Sequence, residues 1–120
     1  MKDNNKNTTE VEFSELNLSP SLLKGIETAR FTRCTPIQAL TLPYTLKGKD
    51  VAAQAQTGTG KTAAFLITIF HRLENENPKG RGPHGLVIAP TRELALQICD
   101  EAKLLGKHTG FTILPVFGGI

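Results

Sequence analysis

Ala55-Gln56-Thr57-Gly58-Thr59-Gly60-Lys61-Thr62 matches a phosphate-binding loop, GxxxxGK(S/T), at every defined position but the first, where Ala55 replaces glycine. Val51-Ala52-Ala53-Gln54-Ala55 leads into it as a small-residue run suited to a buried strand. Beyond it Phe65, Leu66, Ile69, Phe70 and Leu73 keep the 3.6-residue period, which predicts a helix ending near Glu74. Strand, glycine-rich turn and helix in that order are the setting such a loop requires. Gly58 and Gly60 let successive backbone N–H groups turn inward, and the positive end of the following helix adds to their attraction for a triphosphate. Lys61 supplies a point charge for the β- and γ-phosphates, and the Thr62 hydroxyl can hold Mg²⁺. The bland alternative is a strand-to-helix turn with an exposed lysine.

Upstream of the loop, Ser19-Pro20 is an N-cap and first-turn pair, and Leu22, Leu23, Ile26 and Ala29 predict an amphipathic helix over 20–29, weakened by Gly25. Thr35-Pro36-Ile37-Gln38 starts a second helix, with Gln38 able to reach back in a capping box; Pro43 is expected to stop it. Lys47-Gly48-Lys49-Asp50 is a turn. Residues 75–84 form a loop by composition, broken by Pro78, Gly80, Gly82 and Pro83 and exposing Lys79 and Arg81, with no domain boundary needed. Leu86-Val87-Ile88-Ala89 reads as a second buried strand. Pro90 ends it, and Thr91 caps a helix with Leu94, Ala95, Ile98, Ala102 and Leu105 on one face, closed by Gly106 and Gly110. Residues 112–117 read as a third strand, Pro115 included. Strands alternating with helices after a helical lead-in predict an α/β fold: a parallel sheet with right-handed crossovers, flanked by helices and without internal repeats.

The chain has 120 residues, 39% of them hydrophobic, which is room for one core and not for two lobes. Residues 1–12 are expected to be a disordered tail, with order beginning at Phe13. Residues 1–10 contain no apolar signal segment, and the longest unbroken apolar run, 63–67, is too short to cross a bilayer, so a cytoplasmic protein is expected. Cys34 and Cys99 form no CxxC pair and read as free thiols. His71, His84 and His108 lack ligand spacing, so no protein-only metal site is expected. Net charge is +3, but residues 1–27 hold five acids and three bases, leaving a surplus of five bases in the remainder. That imbalance suits a polyanion or an ordinary solvated surface equally well.

Four motifs in register, Cys34-Thr35-Pro36-Ile37-Gln38, then 55–62, then Pro90-Thr91-Arg92-Glu93-Leu94-Ala95, then Gly118-Gly119, resemble the start of a DEAD-box RNA helicase, in wording close to the bacterial members. The likeness covers nearly everything after residue 12. It implies a P-loop RecA-like sheet of which 13–120 are the N-terminal half of the first lobe, and it implies ATP with Mg²⁺ as ligands, bound by 55–62 with Lys61 as the catalytic cation. It implies further that Gln38 reads the adenine edge, that Phe31 stacks on the base, and that Phe13 supports the pocket from upstream. From the residues alone, Gln38 is equally a capping-box residue, and the two phenylalanines are core aromatics. Arg30 departs from the family, which commonly places glycine there.

The same resemblance implies that Pro90, Thr91, Arg92, Gly118 and Gly119 touch the sugar-phosphate backbone of RNA, single-stranded or in a short duplex. Taken alone, Thr91 is a cap, Arg92 a surface charge and Gly118-Gly119 a turn. It also implies association with an RNA-degrading assembly through parts outside these residues. The 120 residues contain no Asp-Glu-Ala-Asp, no Ser-Ala-Thr and no second lobe with an arginine finger, so this chain by itself is expected not to turn over ATP. Three rivals follow: a non-catalytic ATP- or RNA-binding module, a different P-loop enzyme such as a small kinase, and a fragment whose unpaired sheet edges drive aggregation.

Overall fold

A computed structural model describes residues 7–56 and 58–118. Among them are four α-helices, α1 (Pro20–Thr28), α2 (Pro36–Thr45), α3 (Lys61–Glu76) and α4 (Arg92–Leu105), preceded by a 3-10 turn at Phe13–Leu16. Each of the three cap signals stands at the start of its helix. The Ser19 hydroxyl accepts from Leu22 N at 3.1 Å and Pro20 takes the first position of α1. Thr91 Oγ1 accepts from Leu94 N at 3.1 Å, and Thr35 precedes Pro36. The Ser19 and Thr91 hydroxyls each satisfy an N–H group that a helix start otherwise leaves unbonded.

The core lies where the helices meet. Leu22 and Ile26 of α1, Leu42 of α2, Ile67 of α3 and Leu105 of α4 are each at most 1% exposed. Burying a side chain of this size contributes roughly 1.5–3 kcal/mol. The Ser19 hydroxyl also donates to the Glu74 carboxylate at 2.9–3.0 Å, fastening the start of α1 to the end of α3. Gly25, which weakens α1 by propensity, has a packing role: a Cβ there would collide with the backbone carbonyl of Leu105, so the glycine lets α1 and α4 meet backbone to backbone.

Four expectations differ from what is seen. The helix starting at Pro36 runs through Pro43 to Thr45. Pro43 removes the N–H that would bond the Ala39 carbonyl, but the final turn closes without it through Leu46 N to Leu42 O at 3.0 Å. Arg72 of α3 then donates to the Thr45 carbonyl at 3.1 Å and to Lys49 O at 3.0 Å, satisfying acceptors the helix end leaves open. The helix after the loop runs two residues past Glu74, ending at Asn77 in the left-handed conformation (φ 46°).

The boundary at residue 13 falls inside a bonded segment. Thr9 N donates to Cys34 O at 2.7 Å, Cys34 N donates to Val11 O at 2.7 Å, and Glu12 and Arg33 form an isolated antiparallel bridge. Polar side chains forecast a tail because they have nothing to bury, yet the backbone of 9–12 finds partners just before α2, while residues 1–6 lie outside the described residues.

The fourth difference concerns the sheet. Among the described residues, 51–56, 85–89 and 111–117 form no strand ladder, and no backbone hydrogen bond joins them. The period-2 pattern is nevertheless present in what each side chain meets. Val87, Phe111 and Ile113 pack on the core, with Phe111 stacked on Phe70 of α3 at 6.1 Å. Leu86, Ile88, Leu114 and Val116, facing the other way, are 76–87% exposed. A parallel strand needs a neighbour about 4.8 Å away and cover on both faces. Segments 85–89 and 111–117 are covered on one face and lack the neighbour, and 51–56 is exposed at every residue but Ala55.

Candidate functional site: a phosphate loop beside a buried amide

The loop is bent by its glycines: Gly58 and Gly60 have φ of 83° and 85°, a region costly for any residue with a Cβ. Thr59 Oγ1 donates to Gln56 O at 2.7 Å, and Lys61 Nζ reaches back over six residues to Ala55 O at 3.2 Å. Lys61 and Thr62 begin α3, which has no side-chain cap. Its first-turn N–H groups and exposed ammonium are therefore open to an anion. Thr57, expected in the same set, lies outside the described residues.

The loop borders a cleft of about 890 Å³. Gln56, Gly58, Gly60, Lys61 and Thr62 line it on one side, Phe31 and Thr35 on another, and Ile88, Ala89 and Pro90 with one face of α4 close it. Phe31 is 6% exposed and meets Phe13 edge to face, centroids 6.0 Å apart with the planes at 71°. Phe13 does not reach the cleft; it backs the ring that does. Arg30, just before Phe31, has φ of 66°, so the position where the family commonly has glycine is a left-handed one here too.

Gln38 is fully buried and uses both ends of its amide. Oε1 accepts from Thr35 N at 2.8 Å, the capping-box half anticipated from sequence. Nε2 donates to Gly60 O at 3.0 Å, a bond that no local pattern signals, since it spans 22 residues. Adjacent to it, Thr35 Oγ1 is buried without a hydrogen-bond partner among the described residues. A Cβ on Gly60 would collide with the Gln38 amide and crowd Thr35 Oγ1, so the glycine permits this close approach as well as the turn.

At the start of α4, outside the cleft lining, Arg92 Nη2 donates to Gly118 O at 2.9 Å, and the guanidinium carbon sits 5.2 Å from the centroid of Phe117. Two motifs 26 residues apart are thereby joined; Gly119 lies outside the described residues. Phe117 is the participant that sequence reasoning missed, and its place just before Gly118 was the available signal.

The two cysteines are free and buried. Burial, with Glu15 adding to it, pushes the Cys34 thiol up to about 11, which keeps it protonated and unreactive near neutrality. No group of three or more His, Cys, Asp or Glu that could hold a metal occurs among the described residues. The donor chemistry present fits Mg²⁺ in a limited way: the Thr62 hydroxyl is a hard oxygen ligand at the loop, beside the phosphates that would supply others. Among the described residues, no helix is long and apolar enough to cross a membrane.

The site therefore sets a glycine-rich loop entering an uncapped helix beside an aromatic ring and a buried amide. Residues 35–120 match the DEAD/DEAH box helicase family, and the chain belongs to it. It is 52% identical over 119 residues to the ATP-dependent RNA helicase RhlB of Xanthomonas oryzae pv. oryzae, covering 96% of this chain and 21% of that protein. Among solved structures it is similar to the RNA helicase Prp28 of Chaetomium thermophilum bound to ADP, with a TM-score of 0.82 and 37% identity over 95% of this chain and 28% of that one. It is also similar to a variant of S. cerevisiae Dbp5 bound to RNA and ADP BeF3, with a TM-score of 0.76 and 42% identity over 84% of this chain and 26% of that one. The fold is thus that of part of a RecA-like helicase lobe, and the chain spans about a fifth to just over a quarter of the length of these relatives.

Proposed function

We propose that residues 13–120 are the N-terminal part of the first RecA-like lobe of an ATP-dependent RNA helicase, binding ATP at the cleft and RNA backbone at the start of α4. The observation that carries this reading is the Gln38 amide bonded to Gly60 O, which ties a group able to read a base edge to the loop able to hold phosphates. An amide offers a donor beside an acceptor, the complement of the adenine edge. In the free chain both atoms are occupied, so reading adenine exchanges at least one existing bond for one to the base. Phe31 presents ring surface to the same cleft.

The first-turn N–H groups of α3, the loop backbone and Lys61 hold the phosphates, with Lys61 leaving Ala55 O to do so. When bound, Mg²⁺ neutralises phosphate charge, and the Thr62 hydroxyl is the residue that would hold it. Thr91, Arg92, Pro90 and the glycines at 118 and 119 meet RNA phosphates. The cation of Arg92, with one N–H already placed, retains others for an anion. In this reading the longer protein works in the cytoplasm and joins an RNA-degrading assembly through other parts. The chain by itself binds nucleotide without turning it over.

Calorimetric titration of the 120-residue chain with Mg-ATP, Mg-GTP and Mg-ADP tests this. Lys61→Ala is expected to weaken ATP binding at least tenfold and Gln38→Ala to narrow the preference for ATP over GTP. Equal binding of ATP and GTP by the unaltered chain would sink the adenine reading. Turnover above the background of Lys61→Ala would overturn the claim that the chain by itself is inactive.

A further inference from the structure

We infer that Phe117 is a positioning residue for RNA backbone recognition, fixing the Arg92 guanidinium by stacking so that it meets a phosphate in one orientation; this rests on the reading that Arg92 contacts RNA. Arginine is a long side chain, and an exposed one loses considerable rotamer entropy when a ligand immobilises it. Arg92 is exposed and stands at the first position of α4, where nothing in the helix itself holds it. Two contacts from another part of the chain do so. Phe117 lies 5.2 Å from the guanidinium carbon, within the range where a ring face attracts a cation, and Gly118 O takes one N–H at 2.9 Å. Together they restrain the guanidinium, which keeps further N–H groups for another acceptor.

The arrangement also explains why an aromatic ring stands here. Phe117 is half-buried, while its near neighbours Leu114 and Val116 are largely exposed. Its ring is placed against a cation, where an aliphatic side chain of equal bulk would supply contact but no quadrupole. Thr91, one residue before Arg92, uses its oxygen as the α4 cap and keeps its O–H proton to donate. A phosphate at this end of α4 therefore meets a preorganised guanidinium, a hydroxyl and the positive end of the helix.

The test uses the 120-residue chain and a fluorescein-labelled ten-nucleotide oligouridylate, with anisotropy measured across a salt series. Phe117→Leu is expected to weaken binding about threefold, the scale of an exposed cation–π contact, and to lower the steepness of log K against log salt by up to about 0.7, the share of one phosphate on a single strand. Phe117→Tyr is expected to restore both. Neither effect should appear when Phe117→Leu is made in Arg92→Ala. Affinity loss in Phe117→Leu with an unchanged salt slope, or the same loss in the Arg92→Ala background, would overturn the proposal in favour of a merely structural ring. NMR separates this from failure of the underlying reading: the Arg92 δ-methylene protons should be shifted upfield by the ring and lose that shift in Phe117→Leu, and no such shift would overturn the stack itself. If the shift is present but Arg92→Ala binds the oligonucleotide as tightly as the unaltered chain, the RNA contact is wrong, and the positioning role falls with it.

Discussion

The helical interface and the three extended segments are built from equally apolar residues, yet they end in opposite environments. Leu22 and Leu105 are fully enclosed, while Leu86 and Ile88 are 77% and 86% exposed. The cause lies in where each element finds its hydrogen bonds. A helix satisfies its backbone internally and needs only a partner for one stripe of side chains, whereas a strand depends on its neighbours for both backbone and cover. α1, α3 and α4 provide stripes for one another; 85–89 and 111–117 pack one face on the core and have no ladder, and 51–56 has neither. Apolar content alone does not distinguish the two cases.

The largest effect should come from cutting into the helical side. Leu22→Ala is expected to cost about 2–5 kcal/mol in urea unfolding, against about 0.5 kcal/mol or less for Ile88→Ala, and equal costs would break the contrast. A second effect depends on pH. The folded Cys34 thiol titrates near 11, above its ordinary value near 9, so its contribution is complete below pH 9 and lost as pH rises toward 11. Relative to Cys34→Ala, the unaltered chain should lose on the order of 2 kcal/mol across that interval, and parallel pH profiles of the two would refute burial as the cause. The smallest effect sharpens the contrast at a backbone position: Arg30→Gly should stabilise by up to about 1 kcal/mol by relieving its left-handed φ, and a lower melting temperature would show that the arginine side chain outweighs the strain.

These differences also explain what was legible in the sequence. Caps at Ser19, Thr35 and Thr91, and the glycine turn at 58–60, are local, so a few neighbouring residues announce them. Gly25 was legible only as a propensity penalty, because its partner Leu105 is 80 positions away. The Gln38 bond to Gly60, the Arg72 clamp on Thr45 and the Phe117 stack on Arg92 share that character: each joins segments whose proximity is a product of the whole fold. For the extended segments, the apolar runs read as buried strands, whereas Leu86 and Ile88 are largely exposed, because the number of neighbours a segment has is not encoded in the segment itself.

The bare contact of Gly25 with the Leu105 carbonyl has a mechanical consequence. With no side chain between them, the two backbones leave nothing that can change rotamer to absorb a displacement, so α4 can tilt about that point more readily than it can slide past it. Arg92 stands at the opposite end of the same helix, about 20 Å away at 1.5 Å per residue, so a tilt of about 3° carries its guanidinium through about 1 Å. The fulcrum at one end of α4 thus converts small rotations into travel at the other, where Arg92 stands.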